Sequence, residues 1–196
     1  MTTISLDNIK YKAEIRQKTA KPLLWIGLIS IVMFFAGLTS ALIVSKSNSI
    51  WIKLEVPSMF FISTILILFS SLTYQLSMSF TKNNQLKFAT ITTILTFVLG
   101  ISFTVTQFYA WQQLYQSGIF WAGEQSNPSG SYFYALTALH LLHLFAGLIS
   151  LLVVVTKSLL KKYSPTNVLG IQLSLTYWHF LTALWVYLFF FLKFIA

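Results

Sequence analysis

The stretch "SYFYALTALHLLHLFAGLISLLVVVT" (residues 131–156) contains no Lys, Arg, Asp or Glu. Rising about 1.5 Å per residue as a helix, it is long enough to cross a hydrocarbon core about 30 Å thick. Its only side chains of a type that titrates near neutral pH are His140 and His143, three positions apart in otherwise mostly apolar surroundings. A segment of this kind belongs in a bilayer. The two imidazoles then raise a choice between a metal site and polar groups satisfied by their neighbours.

Four more segments read the same way: Pro22–Val44, Pro57–Phe80, Phe88–Leu114 and Gly170–Phe194, beside Ser131–Thr156. Of 196 residues, 56% are hydrophobic and only 9% charged, against about a quarter charged in a soluble domain. The chain is therefore expected to be an all-α integral membrane protein, a five-transmembrane-helix bundle. Pro22 and Pro57 fall where a first helical turn tolerates a missing amide proton, and "SNPSGS" (126–131) combines turn residues with Ser131 as a cap for the fourth helix.

The formal charge of +9 asks whether the basic excess serves nucleic acid or membrane topology. Placement decides for the membrane. Five Lys and Arg lie in residues 1–21, two in 81–87 and three in 157–169, whereas the alternate side carries only Lys46, Lys53 and Lys193. The excess of basic residues on cytoplasmic loops puts the N-terminus in the cytoplasm, and five crossings put Ala196 outside. Residues 1–21 read as a cytoplasmic tail without a removable signal sequence, and residues 22–196 as the five-helix domain. No nucleic-acid partner is expected.

With no cysteine in the chain, thiolate-bound haem, cysteine-held iron–sulfur clusters, a cysteine-bridged copper pair and disulfides are excluded. Asp7, Glu14, Glu55 and Glu124 all fall outside the apolar spans, so no carboxylate marks an intramembrane proton or ion path. That leaves the histidines. At 100° per residue the fourth helix gathers Thr137, His140, His143, Gly147 and Ser150 on one band, and the fifth gathers Gln172, Thr176, His179, Thr182 and Ala183. The third aligns Thr93, Thr96, Gly100, Thr104, Gln107 and Trp111. Small and hydroxylated stripes are what membrane helices use to approach closely and to hydrogen-bond. His140 or His143 with His179 would suit a bis-histidine haem, and all three would suit one copper. Against that stand neutral imidazoles bonded to hydroxyls, carbonyls or water, the reading adopted. The clusters "FYAWQQLY" (108–115) and "WVYLFFFLKF" (185–194) read as interfacial anchors rather than cofactor walls.

"SGSYFYALTALHLLHLFAGL" (129–148), followed by "TYWHFLTALWVYLFFFLKF" (176–194), resembles subunit III of the haem–copper cytochrome c oxidases. The residues carrying the likeness are Gly130, Ser131, Thr137, His140, His143 and Gly147, then Tyr177, Trp178, His179, Phe180 and Trp185. "ISIVMFFAGL" (29–38) and "VPSMFFISTILILFSSLTYQ" (56–75) resemble the family's preceding helices. The likeness spans Pro22 to Ala196 and fits a short bacterial form made of the last five of seven helices. It implies an accessory subunit in the bacterial inner membrane, with oxidase subunit I as main partner, subunit II and phospholipids as others, and no catalytic, cofactor-binding or metal residue of its own. Haem and copper would belong to the partner subunits. Thr137, His140, His143, Gly147, Tyr177, Trp178, His179 and Trp185 become candidate structural, lipid or interface residues. Ile31 stands where many relatives carry a membrane glutamate, and Ala138, Leu141 and Thr182 also depart from the family's usual residues. The resemblance leaves open the equivalent subunit of a quinol oxidase or of a nitric-oxide-reductase-associated complex. From other classes, a di-haem membrane cytochrome and a small transporter remain as alternatives.

The absence of native cysteine allows a direct check of topology. Single cysteines at positions 3 and 196 should react with an impermeant probe from opposite sides of intact cells and everted vesicles. Labelling of both from one side would contradict five crossings.

Overall fold

The computed structural model describes residues 2–47, 51, 56–123, 126–165 and 168–195. Among them run five helices: α1 (Thr2–Ser45), α2 (Ser58–Lys82), α3 (Leu86–Gln116), α4 (Pro128–Leu159) and α5 (Leu169–Ile195). Each contains a span long and apolar enough to cross a membrane, that of α1 being Lys18–Ser45. The chain is a five-helix membrane-spanning bundle. Glu55 and Glu124 lie outside the described residues, as do Lys53 and Ala196.

Helix ends depart from expectation where local signals compete. Pro22 lies inside α1 rather than in its first turn, because the polar segment before it is helical and continuous with the span. The hydrogen bond it removes would have ended on the carbonyl of Lys18, an exposed residue at the edge of the apolar stretch. Pro57 is the residue before α2, and its carbonyl accepts the Phe60 N–H at 3.0 Å. Ser131 does not cap α4. The helix begins at Pro128 after an extended Asn127, since proline suits a first turn, and the Ser131 hydroxyl instead donates to the Trp121 carbonyl at 2.9 Å. Three helices close alike at the other end. The N–H groups of Gln85, Ile119 and Lys162 reach back five residues to the carbonyls of Phe80, Leu114 and Lys157. Each such closure needs a left-handed residue just before it, supplied by Asn84, Gly118 and Lys161.

Hydrogen bonds between helices give the topology. Ser77 pairs with Thr93 and Thr73 with Thr96 along α2 and α3, running antiparallel. Thr90 pairs with Ser158 between the start of α3 and the end of α4, and Ser150 with Ser174 where α4 turns back as α5. The start of α4 meets the end of α1 through Tyr132 and Ser45. Tyr187 reaches Thr39, so α5 runs parallel to α1. Alternation of this kind gathers Lys18, Lys21, Lys82, Lys87, Lys157, Lys161 and Lys162 at one end of the bundle. Lys46 and Lys193 lie at the other.

The α2–α3 pair is the most extensively packed, joined by a short turn, and α5 lies across α1, α2 and α4. Between the described parts of α1 and α2 there is no contact. The α3 stripe foreseen from sequence is the inner face of that helix: Thr93, Thr96, Gly100, Thr104 and Gln107 are buried and Trp111 is half-buried. The fifth-helix stripe behaves differently. Only Thr182 is buried, Gln172, Thr176 and His179 are half-buried and Ala183 is exposed, because α5 turns its tryptophans inward instead.

Ser77→Ala deletes a buried hydroxyl that bonds both Thr93 Oγ1 (2.6 Å) and the Ala89 carbonyl (3.0 Å). Thr93 keeps its bond to the Ala89 carbonyl. The loss should therefore stay near the membrane average for such bonds, about 0.6 kcal/mol, measured by detergent-driven unfolding of the purified chain.

Candidate functional site around the α4–α5 histidines and tryptophans

Trp178 is 1% exposed and Trp185 is fully buried, two turns further along the same face of α5. In a low-dielectric interior an indole N–H needs an acceptor. Both find one on α2. Trp178 Nε1 donates to Ser70 Oγ at 2.9 Å and Trp185 Nε1 to Thr64 Oγ1 at 3.0 Å. The antiparallel course of the two helices sets this pairing, so one α5 face is bolted to α2 at two depths.

The indole of Trp178 also fills the space left by two glycines. A methyl group at Gly100 on α3 would come within 2.7 Å of its Cη2, and one at Gly147 on α4 within 2.9 Å of Leu181 Cδ1 and 3.4 Å of Trp178 Cε3. Side chains as small as hydrogen are what let α3 and α4 close on the ring. Trp185 lies in an aromatic layer, stacked on Phe60 at 5.6 Å and edge-on to Phe103 at 5.1 Å. Its depth corrects the interfacial-anchor reading of the 185–194 cluster at this position. Trp111 differs too, donating its Nε1 to Thr137 Oγ1 on α4 at 3.1 Å.

The three histidines have three environments. His140 is fully buried, with its ring 5.1 Å from Trp185 and 6.2 Å from Phe103. Neither ring nitrogen has a hydrogen-bond partner among the described residues, unlike the bonded imidazole expected. His143 donates Nδ1–H to the Leu139 carbonyl at 2.7 Å, which fixes its tautomer, and packs edge-on to Phe35 of α1 at 5.7 Å. On α5, His179 bridges to α2 through both nitrogens. Nε2–H donates to Gln75 Oε1 at 3.1 Å, and Nδ1 accepts from the Ser71 hydroxyl. Tyr177 closes the opposite seam, its hydroxyl donating to the His143 carbonyl at 3.1 Å.

The structure thus brings Thr137, His140, His143, Gly147, Tyr177, Trp178, His179 and Trp185 into the contacts of α4 and α5 with their neighbours. It does not converge the histidines on one point. With both nitrogens of His179 engaged on α2, that ring is no free axial ligand, and the donor set does not fit a bis-histidine haem. Among the described residues no group of three or more His, Cys, Asp or Glu side chains is placed to hold a metal.

Comparison with known proteins identifies the arrangement. The family profile for cytochrome c oxidase subunit III matches residues 20–196. The chain belongs to the cytochrome c oxidase subunit III family. It is 31% identical over 172 residues to cytochrome c oxidase subunit 3 of Corynebacterium diphtheriae, covering 84% of this chain and 82% of that protein. It is 33% identical over 132 residues to the subunit 3 of Alkalihalophilus pseudofirmus, covering 66% and 62% of the two chains. Cytochrome bo(3) ubiquinol oxidase subunit 3 of Buchnera aphidicola is 29% identical over 173 residues, covering 85% and 82%. This member of the family has a five-helix form, and the relatives named are bacterial.

Sequence reasoning overlooked the α2 residues on which Trp178, His179 and Trp185 rest. Ser63, Ser70 and Ser77 recur every seven residues, with Thr64 and Ser71 beside the first two. That hydroxyl spacing was the available signal. Ser63 accepts from Gln107 Nε2 at 2.9 Å, completing the row.

Gly100→Ala should destabilise the bundle by about 1–3 kcal/mol through overpacking against Trp178. In a Trp178→Phe background the same change should cost less, because Cζ2 and Cη2 are gone. A double-mutant cycle of detergent unfolding measures the coupling, and equal costs in both backgrounds would break it.

Proposed function

We propose that this chain is the accessory third subunit of a haem–copper terminal oxidase in a bacterial cell membrane. In this reading the complex reduces dioxygen and moves protons, with haem and copper in subunits I and II. This chain packs against subunit I, retains phospholipid, eases oxygen access and sustains proton uptake. The observation that carries the proposal is how the family's signature side chains are spent. Trp178, Trp185, His179 and Tyr177 all direct their polar atoms to neighbouring helices of the same chain. They hold a scaffold together and leave redox chemistry to others.

The N-terminus is assigned to the cytoplasm, supported by the basic end of the bundle where Lys18, Lys82, Lys87, Lys157 and Lys161 gather. A quinol-oxidase complex is the second reading, favoured by the Buchnera relative and its 85% coverage of this chain. Purification through a tag on this chain decides both. A cytochrome c oxidase is expected as a haem a-containing complex that oxidises reduced cytochrome c, and the second reading expects a complex that oxidises quinol instead.

The isolated chain should carry no stoichiometric haem, copper or iron by metal analysis. One tightly bound metal per chain that vanishes in His179→Ala would revive the cytochrome.

Deleting the subunit should leave the haem spectrum of the remaining oxidase intact while activity decays faster during sustained turnover. Loss of the spectrum from an otherwise assembled complex would contradict the accessory role.

A further inference from the structure

The seam between α2 and α5 has a polar side that faces outward. Gln75 is exposed on α2, and its neighbour His179 is half-buried on α5. With Gln75 Oε1 accepting from the imidazole, the amide NH2 points away from the ring, and no acceptor among the described residues takes its two protons. Gln75 lies seven residues before Lys82 at the end of α2, about 10 Å along the helix, and a 25-residue helix centred on a core about 30 Å thick carries that position inside the hydrocarbon. The outward faces of α3 and α4 at comparable depths are plain hydrocarbon, such as Leu95 and Ile149. Lipid tails satisfy those residues and cannot accept from an amide.

The shape of the surface is consistent with the chemistry. Because the described parts of α1 and α2 do not touch, no described residue of theirs closes the face of α5 between them. Beyond His179 it opens at Ala183 into an apolar crevice of about 340 Å³ against Val32 and Phe35 of α1. A polar ledge beside a small-residue floor is the pattern that membrane helices use to receive another helix. We infer that the Gln75–His179 ledge and the adjoining α5 groove dock a transmembrane helix of a neighbouring subunit, which offers a side-chain hydrogen-bond acceptor opposite Gln75. That the neighbour is the oxidase's large subunit rests on the proposed function; the location of the face does not.

The test uses the assembled complex purified through this chain. A photo-crosslinking amino acid at Leu72 or Ala183, both exposed beside the ledge, should join one other polypeptide of the complex. The same probe at Leu95 or Ile149 should join none. Gln75→Leu should raise detergent-driven dissociation of that polypeptide about 3- to 20-fold, the range of measured interhelical hydrogen bonds. Adducts to lipid alone, adducts to a second copy of this chain, equal crosslinking from the control positions, or unchanged dissociation of Gln75→Leu would each overturn the inference. Because the crosslinks are read with Gln75 in place, poor folding of that variant leaves them decisive. A crosslinked partner from a complex without haem or copper would sink the oxidase reading and keep the face. An oxidase crosslinked only from Leu95 or Ile149 would do the reverse.

Discussion

Trp178 projects from α5, donates to a serine of α2 and fills the contact between a glycine of α3 and a glycine of α4. In lipid there is no hydrophobic force to press helices together, because the surrounding tails are as apolar as the side chains. Association must come from close packing and from polar groups that find no partner elsewhere. Trp178 supplies both at one point: a large flat surface that needs glycine on two sides, and an N–H that needs an acceptor on the third. The Trp185 layer repeats the arrangement with Thr64 and replaces the glycines by Phe60 and Phe103.

The same economy explains the histidines. An imidazole inside a bilayer is a functional suspect by default, and the first suspicion is metal. Here the environments separate them: His143 is tied to its own helix, His179 to α2, and His140 lies among aromatic rings with no hydrogen-bond partner among the described residues. Their geometry gives no common point for an ion. It does give α5 two different faces, one with tryptophans turned into the bundle and one with His179 and Ala183 turned to its outside.

The pairing of α2 with α3 forms the complementary half. Ser63, Ser70 and Ser77 meet Gln107, Thr96 and Thr93 in register, so every second turn of α2 hands a polar atom to its neighbour. Several of these hydroxyls also bond a carbonyl of their own helix, as Thr93 and Thr96 do. The helical backbone therefore satisfies them before tertiary contact forms. The cost of carrying a hydroxyl into the bilayer is small, and it remains available for recognition.

How much of this was legible beforehand follows from the range of the forces involved. Five apolar segments, their alternation, the α3 stripe and the family membership are written locally, because length against bilayer thickness and the side-chain period depend on each helix alone. Helix ends were less legible. Pro22 tolerates an interior position because the carbonyl it strands belongs to exposed Lys18 at the edge of the apolar span, and Pro128 outcompeted Ser131 for the start of α4. Which face of α5 turns inward was not in its own pattern, since a stripe of Thr, His and Ala looks as suited to burial as a stripe of Trp and Leu. The choice was made by the partners: hydroxyls on α2 at the heights of Trp178 and Trp185, and glycines on α3 and α4 at the width of an indole. Sequence by itself determined that the chain crosses a membrane five times and to which family it belongs. The tertiary structure decided that Trp178 and Trp185 belong to the core and that His179 lies at a seam left uncovered by the described residues, because burial in a helix bundle depends on shape and hydrogen-bond complementarity between helices distant in sequence.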